Sequence, residues 1–342
     1  MAQPFVSLII PCFNEEKFIG TLLENLISQD YPHDLMEVLV MDGGSTDRTL
    51  EIIRQYSEQK SFIRIVHNRE RYVPFALNSG IRLSRGEVIM ILGAHTFYPA
   101  NYVPVLVKYL TELNADNVGA FLQTMPADDS IRSLAISNVL SSPFGIGNAK
   151  YRTGVREICK VDTVPFGCYK RSVFDKIGFF DEELLRNQDY EFNVRLINSG
   201  GSIYLIPFVT INYFTRSSTK QLFRMHYQYG LYNPLVSLKV GRPVVSRHLV
   251  PLVFLLFLVF SGAGSFFFAF SRWLLFTGSA LYILGDLIFS ARIVRQEKRV
   301  KLFLHLPWIF FFLHLSYGWG YLVGIFRFLL FKKQKSGITT TR

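Results

Sequence analysis

The residues best placed to do chemistry are Asn187-Gln188-Asp189-Tyr190-Glu191, continuing into Phe192-Asn193-Val194-Arg195-Leu196. The pattern reads as the start of a short amphipathic helix, with Phe192, Val194, Leu196 and Ile197 turned inward and Asn193 and Arg195 wet. Asp189 then sits in the first helical turn, where the positive end of the helix dipole favours the ionised carboxylate. Such a carboxylate can take a proton from a hydroxyl as a general base. The plain alternative is a capping acid that only satisfies backbone N–H groups.

Further polar clusters follow short apolar runs. Val6-Ser7-Leu8-Ile9-Ile10, stopped by Pro11, reads as a buried parallel strand and leads to Asn14-Glu15. Val38-Leu39-Val40-Met41 leads to Asp42-Gly43-Gly44-Ser45-Thr46-Asp47. Ile63-Arg64-Ile65-Val66 is a third run, and Val88 to Leu92 a fourth that ends at Gly93-Ala94-His95. Helical spacing separates them: Phe18, Ile19, Leu22, Leu23, Leu26 and Ile27, then Leu50, Ile52, Ile53 and Tyr56, then residues 74–83. Alternating strands and helices imply a parallel sheet covered on both faces, with ligands outside the carboxyl ends of the strands. The polar clusters stand at those ends. Gly43-Gly44-Ser45 could bring backbone N–H groups to an anion, although turns use the same residues. The loop is neither G-x-G-x-x-G nor a Walker A sequence, which argues against nicotinamide dinucleotides and P-loop hydrolysis.

Composition bounds the rest. The 342 residues are 49% hydrophobic, with a net charge of +11 and a mean hydropathy of +0.23. Residues 1–210 carry 20 Lys and Arg against 24 Asp and Glu, and residues 211–342 carry 17 against 2. A basic, apolar C-terminal third points to a membrane with anionic head groups. The basic residues flank apolar runs and form no polar patch, so nucleic acid is not an expected partner. Cys12, Cys159 and Cys168 have no metal-type spacing and fit a reducing compartment. Met1-Ala2-Gln3-Pro4 lacks a basic leader region, so the N-terminal domain is expected to stay in the cytoplasm.

Residues 249–270 are long and apolar enough to span a bilayer. Arg272 and Trp273 read as an interfacial break, and residues 274–290 as a second span in which Asp286 must face protein or water. Arg292, Arg295, Lys298, Arg299 and Lys301 form a loop that the positive-inside rule keeps in the cytoplasm. Residues 302–331 are a third apolar stretch, interrupted by Pro307, His314 and Gly318-Trp319-Gly320. It either crosses or is re-entrant or interfacial.

Together the motifs resemble glycosyltransferase family 2, which has the GT-A fold. Pro11-Cys12-Phe13-Asn14-Glu15 is similar to the family's opening motif, and Val40 to Asp47 to its nucleotide-binding strand end. Ala76-Leu77-Asn78-Ser79-Gly80-Ile81 with Arg85-Gly86-Glu87 resembles the helix and turn before the family's Asp-x-Asp strand. Phe166 to Glu182 resembles the acceptor-side segment, and Asn187-Gln188-Asp189-Tyr190 the family's Glu-Asp pair. The variant that this chain most resembles is the succinoglycan-biosynthesis type. The resemblance implies a mostly parallel α/β sheet flanked by helices, then a transmembrane helical region. It implies Asp189 as the catalytic base, and Pro11, Asn14, Glu15, Asp42, Gly44 and Asn78 at the nucleotide-sugar donor. Gln221-Leu222-Phe223-Arg224-Met225 is similar to Gln-x-x-Arg-Trp of membrane synthases, which would add Gln221, Arg224 and also Arg216 around the diphosphate. A basic helix lying on the membrane is the plain alternative.

Gln188 replaces the family's Glu. More consequentially, Asp-x-Asp reads Gly93-Ala94-His95, which leaves His95 as the metal candidate and favours Mn²⁺ over Mg²⁺ if a cation assists. The expected organisation is a cytoplasmic GT-A domain over 1–212, an interfacial amphipathic segment over 213–247, two to three spans over 248–331 and a basic tail over 332–342. The expected activity is inverting transfer to a lipid-linked sugar or glycan in polysaccharide biosynthesis, at the cell membrane. A polyprenyl-phosphate sugar synthase and a catalytically silent sugar-nucleotide-binding scaffold are the alternatives.

Overall fold

The computed structural model describes residues 3–242 and 245–331, so the basic tail over 332–342 lies outside the described residues. The chain forms two compact units, Met1–Gln123 with Lys150–Tyr213, and Thr124–Ala149 with Phe214–Arg342. The first unit, expected to run over 1–212, is interrupted by residues 124–149, which belong to the second.

The first unit begins β1 (Val6–Cys12), α1 (Ile19–Ile27), β2 (Met36–Asp42), α2 (Thr49–Gln59), β3 (Ile63–His67), α3 (Val73–Leu83) and β4 (Val88–Ile91). β1 pairs in parallel with both β2 and β4, and β2 with β3. Every residue of β2 and all but Pro11 of β1 are buried. That is why these strands read as continuous apolar runs and not as alternating ones. α1 buries Ile19, Leu22, Leu23 and Leu26 along one face. α3 lies close on β1 at Gly80, where a Cβ would meet Ile9 at 2.5 Å.

The strand order β3-β2-β1-β4 means that the chain builds outward from β1 and then returns to its other side. The reversal leaves a crevice at the carboxyl ends of β1 and β4, the usual ligand position in such sheets. The sheet has nine strands among the described residues. It continues through β5 (Thr96–Phe97), α4 (Tyr102–Glu112), β6 (Asn117–Met125), the second unit's α5 (Ile131–Ser141) and α6 (Pro143–Ile146), then α7 (Lys150–Thr153), β7 (Cys159–Lys160) and β8 (Cys168–Lys170). It closes with α8 (Arg171–Ile177), α9 (Gln188–Asn198) and β9 (Ile203–Phe214). β8 runs antiparallel to β4 and β6, and β5 and β7 antiparallel to β9. The result is a mixed sheet with a parallel half, flanked by helices.

The second unit adds α10 (Thr219–Val240), α11 (Val250–Gly264), α12 (Ala269–Glu297) and α13 (Leu306–Gly324) to α5 and α6. Three segments, Ser246–Gly264, Ala269–Glu297 and Val300–Leu330, are long and apolar enough to cross a membrane. The turn between the first two falls at Ser265–Phe268, not at Arg272 and Trp273, which instead open α12. Asp286 is buried and accepts a hydrogen bond from Ser290 Oγ at 3.1 Å.

Two expectations change here. Pro307 and Gly318-Trp319-Gly320 do not interrupt the third stretch. Pro307 opens α13, where no helical N–H is lost. The glycines let backbones touch: a Cβ at Gly320 would stand 2.0 Å from Tyr227 O of α10, and one at Gly318 2.3 Å from Pro251 O of α11. Small residues at helix contacts are how apolar helices associate without a hydrophobic driving force. Nor is α10 an amphipathic surface helix. It buries Leu231, Tyr232, Asn233, Pro234, Leu235 and Val236 in succession, and its Gly230 packs on Tyr317 of α13. His314, read as a further interruption, donates from Nε2 to Phe144 O at 2.9 Å and accepts from Tyr282 Oη at 2.8 Å.

Candidate functional site

The loop after β2 is shaped by Asp42. Its carboxylate accepts from Gly44 N at 2.9 Å, from Ser45 N at 3.2 Å and from Ser45 Oγ at 2.6 Å. Gly44 needs φ +79°, which glycine adopts without strain. Arg71 comes over this loop, with Nε 3.7 Å from where a Cβ of Gly44 would be. The loop after β1 docks on it. Asn14, at φ 52°, accepts from Thr46 N at 2.8 Å and gives its own N–H to Ser45 Oγ at 2.9 Å. Glu15 N–H goes to Thr49 Oγ1 at 2.8 Å. Pro11, Asn14, Glu15, Asp42 and Gly44 are thus brought together at the ends of β1 and β2, as expected. The buried Asp42 carboxylate is engaged by its own loop, so its first job is to hold that loop's shape.

Asn78 makes its hydrogen bonds away from the β1 and β2 loops. It is buried, and its amide donates to Phe180 O at 2.9 Å and Glu182 Oε1 at 2.8 Å while accepting from Phe180 N at 2.9 Å. It fastens α3 to the segment that leads into α9. Arg216, Gln221 and Arg224 lie in the second unit, before and along the first turns of α10. Gln221 and Arg224 are exposed, while their neighbours Leu222 and Met225 enter the apolar cluster with α5 and α13.

At the end of β4, the Cβ that any other residue would carry at Gly93 would stand 2.7 Å from the Phe166 ring. Phe166 itself is held at φ 50°. An acid therefore cannot be restored at position 93 unless Phe166 moves. His95 lies two residues on, its ring 5.4 Å from Tyr213 and 6.4 Å from Phe18. Its Nδ1 is 3.2 Å from Glu15 Oε1. Arg152 covers the other neighbour of this cluster, 5.1 Å from the Tyr213 ring centre. Phe18, Phe166 and Tyr213 are distant in sequence; Phe18 was legible only as a helix residue and Phe166 only as part of the acceptor-side segment, and nothing pointed to Tyr213.

Asp189 sits in the first turn of α9, after Asn187 at φ 61°. Asn tolerates this left-handed backbone better than most residues. Asp189 Oδ1 accepts from Tyr190 N at 2.8 Å. Burial pushes the Asp189 carboxyl above the ordinary range, against the Tyr190 N–H and the Arg186 charge that pull it down. The helix end was expected to keep it ionised, but loss of water outweighs that help.

The rest of α9 is held firmly. Phe192 stacks on Phe180 at 4.4 Å and meets Tyr169 edge-on at 5.6 Å. Asn193, expected in water, is fully buried and bonds to Asn117 and Thr163. Arg195 is also turned in. It grips the buried Glu191 at 2.6 and 3.0 Å and donates to Ile177 O and Phe179 O. A fork of five donors can satisfy all of these at once, which a sequence pattern of apolar and polar residues does not reveal.

A family model described as glycosyl transferase family 2 matches residues 7–178, just over half of the chain. The chain belongs to glycosyl transferase family 2. Two relatives show how far the likeness as a glycosyltransferase extends. One from Methanococcus voltae, named dolichyl N-acetyl-alpha-D-glucosaminyl phosphate 3-beta-D-2,3-diacetamido-2,3-dideoxy-beta-D-glucuronosyltransferase, is 29% identical over 94% of this chain and 98% of its own. Succinoglycan biosynthesis protein ExoA of Rhizobium meliloti (strain 1021) is 29% identical over 65% of this chain and 67% of its own, in line with the expected variant. Mannosyltransferase PcManGT from Pyrobaculum calidifontis, solved with GDP-Man and Mn²⁺, superposes with a TM-score of 0.65 at 20% identity, covering 94% of this chain and 88% of that one. That likeness shows the GT-A fold.

The family resemblance implies a divalent ion, and the donor set can be tested against it. Among the described residues no three His, Cys, Asp or Glu side chains gather as a metal-binding group. The crevice offers one imidazole nitrogen and one carboxylate oxygen facing each other, His95 and Glu15. Two protein ligands suffice for an ion whose other positions are filled by substrate phosphates and water, so the residues fit such an ion.

Proposed function

We propose that this glycosyltransferase is membrane-anchored and inverting, and moves a sugar from a nucleotide-sugar donor to a lipid-linked sugar or glycan acceptor. The observation that carries the reading is Asp189, a half-buried carboxyl with raised proton affinity at the head of a rigidly packed helix. Raised affinity makes a carboxylate a better proton acceptor, provided that it is ionised at the working pH. Asp189 takes the proton of an acceptor hydroxyl as that oxygen bonds to the anomeric carbon. The bond from that carbon to the diphosphate breaks, and the nucleoside diphosphate leaves. One in-line displacement inverts the centre.

The loops of Asn14, Asp42 and Gly44 hold the nucleoside side of the donor. The arrangement of backbone N–H groups around Gly44 and the nearby Arg71 suit an anion. A divalent cation, when bound, supplies positive charge to the leaving diphosphate, with His95 as a holder. The lipid-linked acceptor is supported by the Methanococcus voltae relative, whose name gives a dolichyl-phosphate-linked sugar as substrate and which this chain matches over 94% of its length. It is also supported by three helices able to cross a membrane.

The test is Asp189→Asn, assayed in membranes with a panel of sugar nucleotides by release of nucleoside diphosphate. Turnover should fall by about 10² or more, with donor binding retained. Unchanged turnover would remove the base mechanism and point to an acceptor that needs no deprotonation, such as a lipid phosphate.

A further inference from the structure

β1 and β4 are neighbours on either side of the point where the strand order reverses. Glu15 follows the end of β1 and His95 follows the end of β4, and their side chains meet across that crevice at 3.2 Å. We propose that Glu15 and His95 together form a divalent-cation site. Glu15 would take the place of the acid missing at position 93, and the donor diphosphate would complete the site. The proposal rests on the sugar-nucleotide reading of the crevice.

Four observations carry it. The first is spacing. Neighbouring ligands on an octahedral ion with bonds of about 2.1 Å stand about 3.0 Å apart, close to the separation of Nδ1 and Oε1. The second is that Phe166 closes the position from which an acid on β4 would act. The third is that Glu15 is anchored by its backbone alone. Its N–H goes to Thr49 and its carbonyl accepts from Phe18 N and Ile19 N, both at 2.9 Å. His95 is the only partner of its carboxylate among the described residues. The fourth is access. The two side chains are 22% and 19% exposed, enough for phosphate oxygens to reach them from the crevice.

Without an ion, the geometry is that of Nδ1–H donating to Oε1. With an ion, the Nδ1 lone pair must face the metal, so the ring proton resides on Nε2. The contacts with Tyr213 and Phe18 hold the ring with Nδ1 toward Glu15. An imidazole with a single carboxylate suits Mn²⁺ better than Mg²⁺, which prefers oxygen.

The experiment uses the full chain in detergent. Mn²⁺ uptake is followed by electron paramagnetic resonance with UDP or GDP present, and nucleotide binding is measured separately in EDTA. Wild type with nucleoside diphosphate should take up Mn²⁺ more tightly than the nucleotide alone does. Glu15→Gln and His95→Ala should each weaken that uptake by at least about tenfold, the lower bound seen even for outer partners of metal ligands. Each variant's Mn²⁺ affinity is compared at nucleotide saturation, fixed by its own nucleotide binding in EDTA, so that a weaker hold on the nucleotide is not read as loss of the ion; Glu15→Gln keeps every backbone bond named above. Nitrogen coupling to the bound Mn²⁺ should be present in wild type and Glu15→Gln and lost in His95→Ala. Unchanged Mn²⁺ affinity in Glu15→Gln would overturn the proposal and leave Glu15 as a hydrogen-bond partner of His95. Nucleotide binding in EDTA with no added Mn²⁺ affinity in wild type would overturn it as well, while the donor reading stands. No binding of either nucleotide would overturn both.

Discussion

At the scale of the residue, the burial that raises the proton affinity of Asp189 costs stability. The native state holds its proton more tightly than the unfolded chain, whose Asp titrates near 3.9. Stability therefore falls as pH rises from that value through the raised native one, and the full cost is present above both. Asn at this position can accept the same Tyr190 N–H without carrying a charge. Asp189→Asn is thus expected to melt no lower than wild type at pH 7, and to lose any advantage as pH drops toward 4. Thermal unfolding in detergent at both values checks this, and a variant less stable at pH 7 would contradict the buried-carboxylate account. Wild-type kcat/KM should also rise with pH through the raised value, with no such rise in the variant's residual rate. Gly93 offers a steric counterpart. Gly93→Asp should destabilise by roughly 1–3 kcal/mol, as overpacking does, because its Cβ meets Phe166. Adding Phe166→Ala should recover part of that loss. A Gly93→Asp protein as stable as wild type would show that Phe166 does not close the position.

At the scale of the element, α9 and α13 are placed by opposite means. α9 is held by a large aromatic stack, so Phe192→Ala should cost about 3–5 kcal/mol, the usual range for a buried aromatic. Phe192→Leu should cost much less. Both are measurable by denaturant unfolding with donor binding as a second readout. α13 is held by the absence of side chains. At Gly320 even an alanine methyl must push Tyr227 O away, so Gly320→Val should separate α10 from α13 and lower the thermal transition. Gly262→Val is the control, since nothing lies within 4 Å of a Cβ there. Equal effects of the two substitutions would show that close backbone approach is not what joins α13 to α10.

At the scale of the whole molecule, the charge division between residues 1–210 and 211–342 follows the division into a sheet unit and a helical unit closely but not fully. The exception is residues 124–149. Ala135, Ile136, Val139 and Leu140 of α5 share an apolar cluster with Leu306, Ile309, Phe310 and Leu313 of the α13 segment. Truncation near residue 245 removes those partners and bares α5 and α10 together. The shortened chain should aggregate or need detergent, and a monomeric, soluble fragment would contradict this packing. The intact chain should stay with the membrane pellet after alkaline carbonate washing and be released by detergent. Release by carbonate alone would contradict the spans.

What the sequence determined by itself was whatever depends on neighbours in the chain. Four apolar runs separated by helical spacing read as strands of a parallel sheet, and the polar clusters after three of them fall at the carboxyl ends of those strands. Asn14, Glu15, Asp42 and Gly44 therefore came together as expected, and Asp189 fell in a first helical turn. The tertiary structure decided what depends on groups distant in the chain. Arg195 and Asn193 are polar letters on a helix, yet partners at Glu191, Asn117 and Thr163 let both turn inward. Gly318 and Gly320 read as breaks until the backbones of α10 and α11 were beside them. The balance at Asp189 turned on burial, which no single helix carries in its own letters. The acid missing beside His95 could not be found by looking along β4, because Glu15 comes from 80 positions away, and only the folding of β1 against β4 makes the two neighbours.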